Sequence, residues 1–231
     1  MHNSIGMNGA IVQSQTGVTL VGGGPVSARD LSRCMGVAPR LVAADGGADR
    51  LLKRGHAPEA VIGDMDSISD AARLALAGRL HPVPEQETTD FDKALRHIAA
   101  PFVLGLGFSG GRLDHGLAAL NTLIRHPDRR CLILGQGDVC FLSPVALTLT
   151  LPVGSRLSLF PMAPVTGTSQ GLRWPINDLD FAPGGRVGTS NEVSAPQVRL
   201  TFDVAAMLVI LPGSALSAAL TGLLPSPAHG G

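Results

Sequence analysis

Val18-Thr19-Leu20-Val21-Gly22-Gly23-Gly24-Pro25 is a short apolar run that stops at a glycine turn, and the residues from Ser27 to Met35 have a helical pattern. An apolar run of this length closed by glycine reads as a buried strand, with a helix to follow. The unit recurs along the chain. Leu41-Val42-Ala43-Ala44 runs into Asp45-Gly46-Gly47 and a helix predicted over 48–54, ended by Gly55. Val61-Ile62 leads into Gly63-Asp64-Met65-Asp66-Ser67, followed by helices predicted over 71–77 and, opened by Thr89, over 92–99. Phe102-Val103-Leu104-Gly105-Leu106 ends in the loop Gly107-Phe108-Ser109-Gly110-Gly111-Arg112, with a helix from about Asp114 to Arg125, and Cys131-Leu132-Ile133-Leu134 is the last strand of this kind. Apolar strands alternating with helices imply a mostly parallel sheet covered on both faces.

Near Leu147 the pattern changes. Leu147-Thr148-Leu149-Thr150-Leu151, Arg156-Leu157-Ser158-Leu159-Phe160, Val198-Arg199-Leu200-Thr201-Phe202 and Ala206-Met207-Leu208-Val209-Ile210 are β-like, and several alternate strictly. Such strands, separated by Pro and Gly turns, predict an antiparallel sandwich. The expected organisation is a Rossmann-like α/β domain over residues 1–145 and an all-β sandwich over 146–231, whose small, Pro/Gly-rich end from Ser217 to Gly231 is expected to fray.

With 231 residues, 45% of them hydrophobic, the chain can bury a sizeable core. A formal net charge of zero offers no basic field for a nucleic-acid backbone or an anionic membrane surface. Three widely spaced cysteines, Cys34, Cys131 and Cys140, encode neither a disulfide framework nor a zinc site. No apolar run approaches the roughly 20 residues that span a bilayer, and Met1-His2-Asn3-Ser4 lacks the basic start of a signal peptide. A cytoplasmic protein is expected, with neither nucleic acid nor membrane as partner.

In a parallel α/β sheet, ligands gather beyond the carboxyl ends of the strands, where Asp45, Asp64, Asp66 and the loop from Gly107 to His115 all fall. On an extended segment Asp64 and Asp66, at i and i+2, aim both carboxylates at one point. Two anions held so close call for a cation, and Mg²⁺ favours one or two carboxylates together with substrate phosphates. Thr89 has the signature of a helix N-cap, which puts Asp90 in the first turn as a third carboxylate facing the metal. Lys93, about one turn on, either reaches phosphate or is a solvated helix charge. Gly110-Gly111 lets backbone approach phosphate, Arg112 adds a planar cationic fork, and His115 is open to roles as ligand-facing group, proton carrier or helix cap. Trp174, the single tryptophan, lies in the glycine-flanked Gly171-Leu172-Arg173-Trp174-Pro175, where a ring can stack on a flat ligand or pack in the core. Ser190-Asn191 reads as a polar loop.

Taken in order, Asp45-Gly46-Gly47, Gly63-Asp64-Met65-Asp66-Ser67, Thr89-Asp90-Phe91 with Lys93-Ala94-Leu95, Gly110-Gly111-Arg112-Leu113-Asp114-His115, Gly171 to Pro175 and Ser190-Asn191-Glu192 resemble the thiamine pyrophosphokinase family across roughly Val18 to Pro212. The resemblance implies transfer of a diphosphate from ATP to the hydroxyl of thiamine, giving thiamine diphosphate and AMP. It implies an ATP- and Mg²⁺-binding first domain, a second domain that binds thiamine and dimerises, and a homodimer with active sites between subunits. It further implies Asp64, Asp66 and Asp90 as Mg²⁺ ligands with Asp45 near the same phosphate site. Gln86, Thr89, Lys93 and Arg112 fall at nucleotide and phosphate contacts, and Asp114 near the transferred group. Trp174 matches the ring that stacks on thiamine, with Thr168, Ser190 and Asn191 around it. Many bacterial members carry Asp-Lys-Thr-Asp where this chain has Glu87-Thr88-Thr89-Asp90, and often Asn where it has Ala119. Other readings are a pyrophosphokinase for another hydroxymethyl heterocycle such as a pterin, or a non-catalytic thiamine- or nucleotide-binding module. A dehydrogenase is a poorer reading still, because no Gly-x-Gly-x-x-Gly follows the strand and Ser27 breaks the spacing.

Overall fold

The computed structural model describes residues 9–224 and divides them into two compact units. The first unit runs to Thr122 and takes in Cys131–Gln136; the second takes Leu123–Arg130 and continues from Gly137.

The first unit opens with β1 (Val12–Gln13), β2 (Val18–Val21), α1 (Ala28–Val37), β3 (Arg40–Ala44) and α2 (Gly47–Leu52). It continues through β4 (Ala60–Gly63), α3 (Asp70–Ala75), β5 (Leu80–Pro82), α4 (Asp90–Arg96) and β6 (Ile98–Ala99). Last come β7 (Val103–Leu106), α5 (Leu113–Arg125, which passes into the second unit) and β8 (Cys131–Gly135). Six of these strands pair in parallel in the order β8-β7-β2-β3-β4-β5. β2, β4 and β7 are buried along their whole length, as strands covered on both faces must be. The registers Val21↔Ala43, Val21↔Leu106 and Ala44↔Ile62 align the carboxyl ends of the four central strands. The residues that follow them, Gly22, Asp45, Asp64 and Gly107, therefore meet along one edge.

α4 departs from the predicted 92–99 span. It starts two residues earlier, capped by Thr89 Oγ1 on Asp92 N–H, and stops at Arg96, because Ile98 and Ala99 leave it to pair with β1. The helix packs on β3 and β4 and buries Phe91, Asp92, Lys93, Ala94 and Leu95. That burial carries two charged side chains inward with the apolar ones.

The second unit contains β9 (Asp138–Leu142), β10 (Ala146–Thr150), β11 (Arg156–Pro161), β12 (Val165–Gln170) and β13 (Leu179–Phe181). β14 (Gly188–Glu192), β15 (Gln197–Phe202), β16 (Met207–Pro212) and α6 (Leu216–Leu223) complete it. Its strands pair antiparallel in two sets, β10-β15-β12-β13 and β14-β11-β16-β9. Alternation is clearest in β15, where Val198, Leu200 and Phe202 are buried between exposed neighbours.

Two expectations change here. Ser190 and Asn191 are not in a loop but on β14, paired with β11. The segment expected to fray is helical from Leu216 to Leu223: Leu216, Ala219 and Leu220 fall at helical spacing and are buried, and apolar burial outweighs the glycine. Residues 225–231 of that segment lie outside the described residues.

Candidate active site

The floor of the site is backbone. Gly22 N–H donates to Leu106 C=O at 2.8 Å, and Gly24 N–H to Gly107 C=O at 3.0 Å. A Cβ on Gly24 would lie 2.5 Å from the Gly107 oxygen, so only glycine lets these loops touch. Above them opens a cavity of about 1010 Å³, walled by both glycine loops, by Asp45, Asp64 and Asp90, and by Arg50, Lys53, Arg112 and His115.

Asp45, just past β3, is 1% exposed and sits at φ 39°, a left-handed conformation that Asp tolerates better than most residues. Its N–H donates to Ile62 C=O at 3.1 Å, and its Oδ2 accepts Ser67 N–H at 2.9 Å, while Oδ1 is buried without a hydrogen-bond partner. Ser109 Oγ, on the same cavity, is also buried and unpartnered. Burial pushes the Asp45 carboxyl up to about 6.

Asp64 and Asp66 reach one another differently from the extended geometry predicted. Met65 adopts φ 68° and buries its side chain, so the segment turns rather than runs straight, and Asp66 N–H faces Asp64 Oδ1 at 3.4 Å. The turn is held from outside: Arg73 donates to Met65 C=O, and Ser67 Oγ to Asp66 Oδ1 at 2.8 Å. One ligand oxygen from each of Asp45, Asp64 and Asp66 lies within 4.8 Å of the others.

Asp90 stands behind Asp64, its Oδ1 accepting Asp64 N–H at 3.3 Å. Gly63 makes room for this approach, since a Cβ there would meet Asp90 Oδ1 at 2.9 Å and Asp45 Cβ at 3.0 Å. Lys93, expected at phosphate or in solvent, is 1% exposed and donates to Asp64 Oδ2 at 2.8 Å and Asp90 Oδ1 at 3.3 Å. Burial pulls the Lys93 ammonium down, but the Asp64 hydrogen bond and the two carboxylate charges outweigh it and hold it above the usual lysine range. The hydrogen bond from Lys93 holds Asp64 below the usual carboxylate range; burial, reinforced by the Asp64 charge, holds Asp90 above it.

Arg112 and Asp114 form an exposed pair through Nε at 3.1 Å and Nη2 at 2.6 Å, which holds the Asp114 carboxyl at about 2. His115 is exposed on the cavity wall. Thr89 lines the cavity while capping α4; Gln86 is exposed and is not among the lining residues.

Sequence reasoning passed over Asp49, whose carboxylate accepts Ser69 Oγ at 2.5 Å and Ser69 N–H at 3.0 Å, tying α2 to the N-cap of α3. Ser69 caps α3 through Ala72 N–H, and its partner lies on another helix, 20 residues earlier in the chain, where no local pattern marks it.

The second unit holds the other four candidates. Trp174 is 52% exposed, with the Arg173 guanidinium 4.9 Å from its ring centroid. Asn191, 7% exposed, grips the Trp174 backbone, and Ser190 N–H donates to Ser158 Oγ at 3.0 Å. Thr168 is exposed on β12.

Comparisons with known proteins agree on one family. The thiamin pyrophosphokinase catalytic domain matches residues 31–134, and the thiamin pyrophosphokinase vitamin B1 binding domain matches residues 147–207. Thiamine pyrophosphokinase 1 of Oryza sativa subsp. japonica is 28% identical over 200 residues, covering 70% of this chain and 75% of that protein. Thiamin pyrophosphokinase 1 of Caenorhabditis elegans is 29% identical over 185 residues, 69% of this chain and 73% of its own. The crystal structure of thiamin pyrophosphokinase from Geobacillus thermodenitrificans shares the fold, with a TM-score of 0.69 at 24% identity over 87% of this chain and 99% of that one. With both domains matched in order, the chain belongs to the thiamin pyrophosphokinase family.

Proposed function

We propose that the protein transfers the diphosphate group of ATP to the hydroxyl of thiamine, giving thiamine diphosphate and AMP. The observation that carries the reading is the convergence of Asp45, Asp64 and Asp66 beside the glycine loops of a roomy cavity, in a chain that matches both domains of the family. The vitamin B1 binding match favours thiamine over a pterin.

The donors suit Mg²⁺: three carboxylates within reach of one ion, and a buried Asp45 oxygen that is costly unless something positive meets it. Asp45, Asp64 and Asp66 would hold the ion, with the second oxygen of Asp90 available to complete the set. Bound there, Mg²⁺ would offset the phosphate charges and polarise the group being transferred. Arg112 offers phosphate a planar fork at the cavity mouth, exchanging Asp114 for it. Gln86, Thr89 and His115 are assigned to the nucleotide, and Thr168, Trp174, Ser190 and Asn191 to thiamine.

The finer architecture belongs to the same proposal: a Rossmann-like domain over 1–145 and a sandwich over 146–231, supported by the one-sided burial of β10 and β15. A homodimer with sites between subunits is supported by exposed Leu113 and Leu117, one turn apart on α5 beside Arg112, which a second copy would cover. A cytoplasmic setting suits Cys34, Cys131 and Cys140, none of which is in a disulfide, and none of the described helices is long and apolar enough to cross a membrane.

The test is formation of AMP and thiamine diphosphate from Mg-ATP and thiamine, with Asp64→Asn checked for folding by circular dichroism. Equal amounts of both products from the wild type, lost in the variant, are expected. A folded wild type that binds thiamine without forming either product would overturn the reading.

A further inference from the structure

Lys93 is among the largest fully buried side chains of the described residues, and it does not line the cavity that Asp64 and Asp90 face. Its contacts close a circuit. Lys93 Nζ donates to Asp64 Oδ2 at 2.8 Å and to Asp90 Oδ1 at 3.3 Å, and that same Asp90 oxygen accepts Asp64 N–H at 3.3 Å. The backbone and side chain of Asp64 are thus fixed by two groups on one turn of α4, from the side away from the cavity.

We propose that Lys93 is a positioning residue: a buried counter-cation that holds Asp64 and Asp90 in place from behind and offsets part of the charge of the acidic cluster, without touching the phosphates. Lys93 is buried while Asp64 and Asp90 keep 16% and 31% of their side chains exposed, so removing the lysine charge leaves two partly desolvated carboxylates uncompensated, which costs more than losing an exposed pair. A divalent ion entering among Asp45, Asp64 and Asp66 compensates the same charge, so Lys93 and the ion substitute for one another in stabilising the fold. The inference rests on the metal-dependent reading of the site, but its measurements need no turnover.

Lys93→Met and Asp90→Asn/Lys93→Met are compared with wild type by thermal melting, after dialysis against chelator and after addition of Mn²⁺. Binding of a non-hydrolysable ATP analogue is measured at saturating metal. Lys93→Met without metal is expected to melt about 5–10 °C lower, to regain most of that loss with Mn²⁺ or with the added Asp90→Asn, and to bind the analogue within about threefold of wild type. An unchanged melting temperature without metal, or a tenfold or greater loss of analogue affinity at saturating metal, would overturn the proposal in favour of a phosphate contact. If Lys93→Met does not fold alone, recovery of folding by the second substitution or by Mn²⁺ supports it, and failure of both overturns it. An inactive wild type whose variants follow this pattern would refute thiamine phosphorylation and leave the role of Lys93 standing.

Discussion

Asn191 grips the main chain of Trp174 on both sides: its Oδ1 accepts the Trp174 N–H at 3.2 Å, and its Nδ2 donates to the Trp174 C=O at 2.7 Å. The same Oδ1 accepts Glu192 N–H at 2.8 Å. The side chain assigned to thiamine by sequence is therefore occupied in holding the aromatic residue. An effect of Asn191 on a ligand stacked at Trp174 would run through the ring.

Asn191→Ala should take the side-chain partner from three backbone groups, the N–H and C=O of Trp174 and the N–H of Glu192, and free the Trp174 loop, at a cost of about 1–3 kcal/mol. Because Trp174 is the only tryptophan, its emission should change on thiamine addition. The variant is expected to weaken thiamine binding about tenfold in that titration while leaving ATP-analogue affinity unchanged. Equal loss for both ligands would mean general damage to the fold.

Asp45→Asn has a pH signature. An aspartate near 4 when unfolded and pushed up to about 6 when folded binds its proton more tightly in the folded state, so folding loses stability as pH rises between those values. Without metal, the Asn variant should match wild type near pH 4 and exceed it above pH 6, by up to about 3 kcal/mol. Added Mn²⁺ should reverse the order at pH 8. Melting curves across pH, with and without metal, check both halves.

Gly63→Ala puts a methyl 2.9 Å from Asp90 Oδ1 and 3.0 Å from Asp45 Cβ. Both neighbours are site carboxylates, so the strain of about 1–3 kcal/mol should disturb the cluster itself. Turnover and Mn²⁺ affinity are expected to fall at least tenfold with the far-ultraviolet spectrum unchanged. Wild-type metal affinity would contradict this placement.

Asp49→Ala releases the N-cap of α3 and should cost about 1 kcal/mol in stability. A modest rise in KM for Mg-ATP is expected, with kcat closer to wild type, as Ser69 loosens beside the Asp64–Asp66 turn. Steady-state kinetics would separate the two.

The parallel sheet was legible because its strands are apolar runs that stop at glycine or aspartate, and Asp45, Asp64 and Asp66 were legible because each follows such a run. β5, written Leu80-His81-Pro82, and β14, written Gly188-Thr189-Ser190-Asn191-Glu192, carry no such signal; pairing with β4 and β11 makes them strands. β9 was readable in the alternation of Val139 and Phe141 and was passed over. Lys93 was the hardest residue to place. Beside Thr89 and Asp90 it reads as a phosphate contact or a solvated helix charge, and only the packing of α4 on β3 and β4 buries it.

The main-chain contact between Gly24 and Gly107 sets a limit on redesign. Where the two loops meet, no side chain can be exchanged, and any methyl added to Gly24 pushes against a carbonyl oxygen. A variant aimed at a different phosphate donor has to be built from the exposed walls, Arg50, Lys53 and His115, around a floor that must be kept. Saturation libraries that spare the glycines and randomise those three positions should therefore retain folded members in far greater proportion than libraries drawn across the loops.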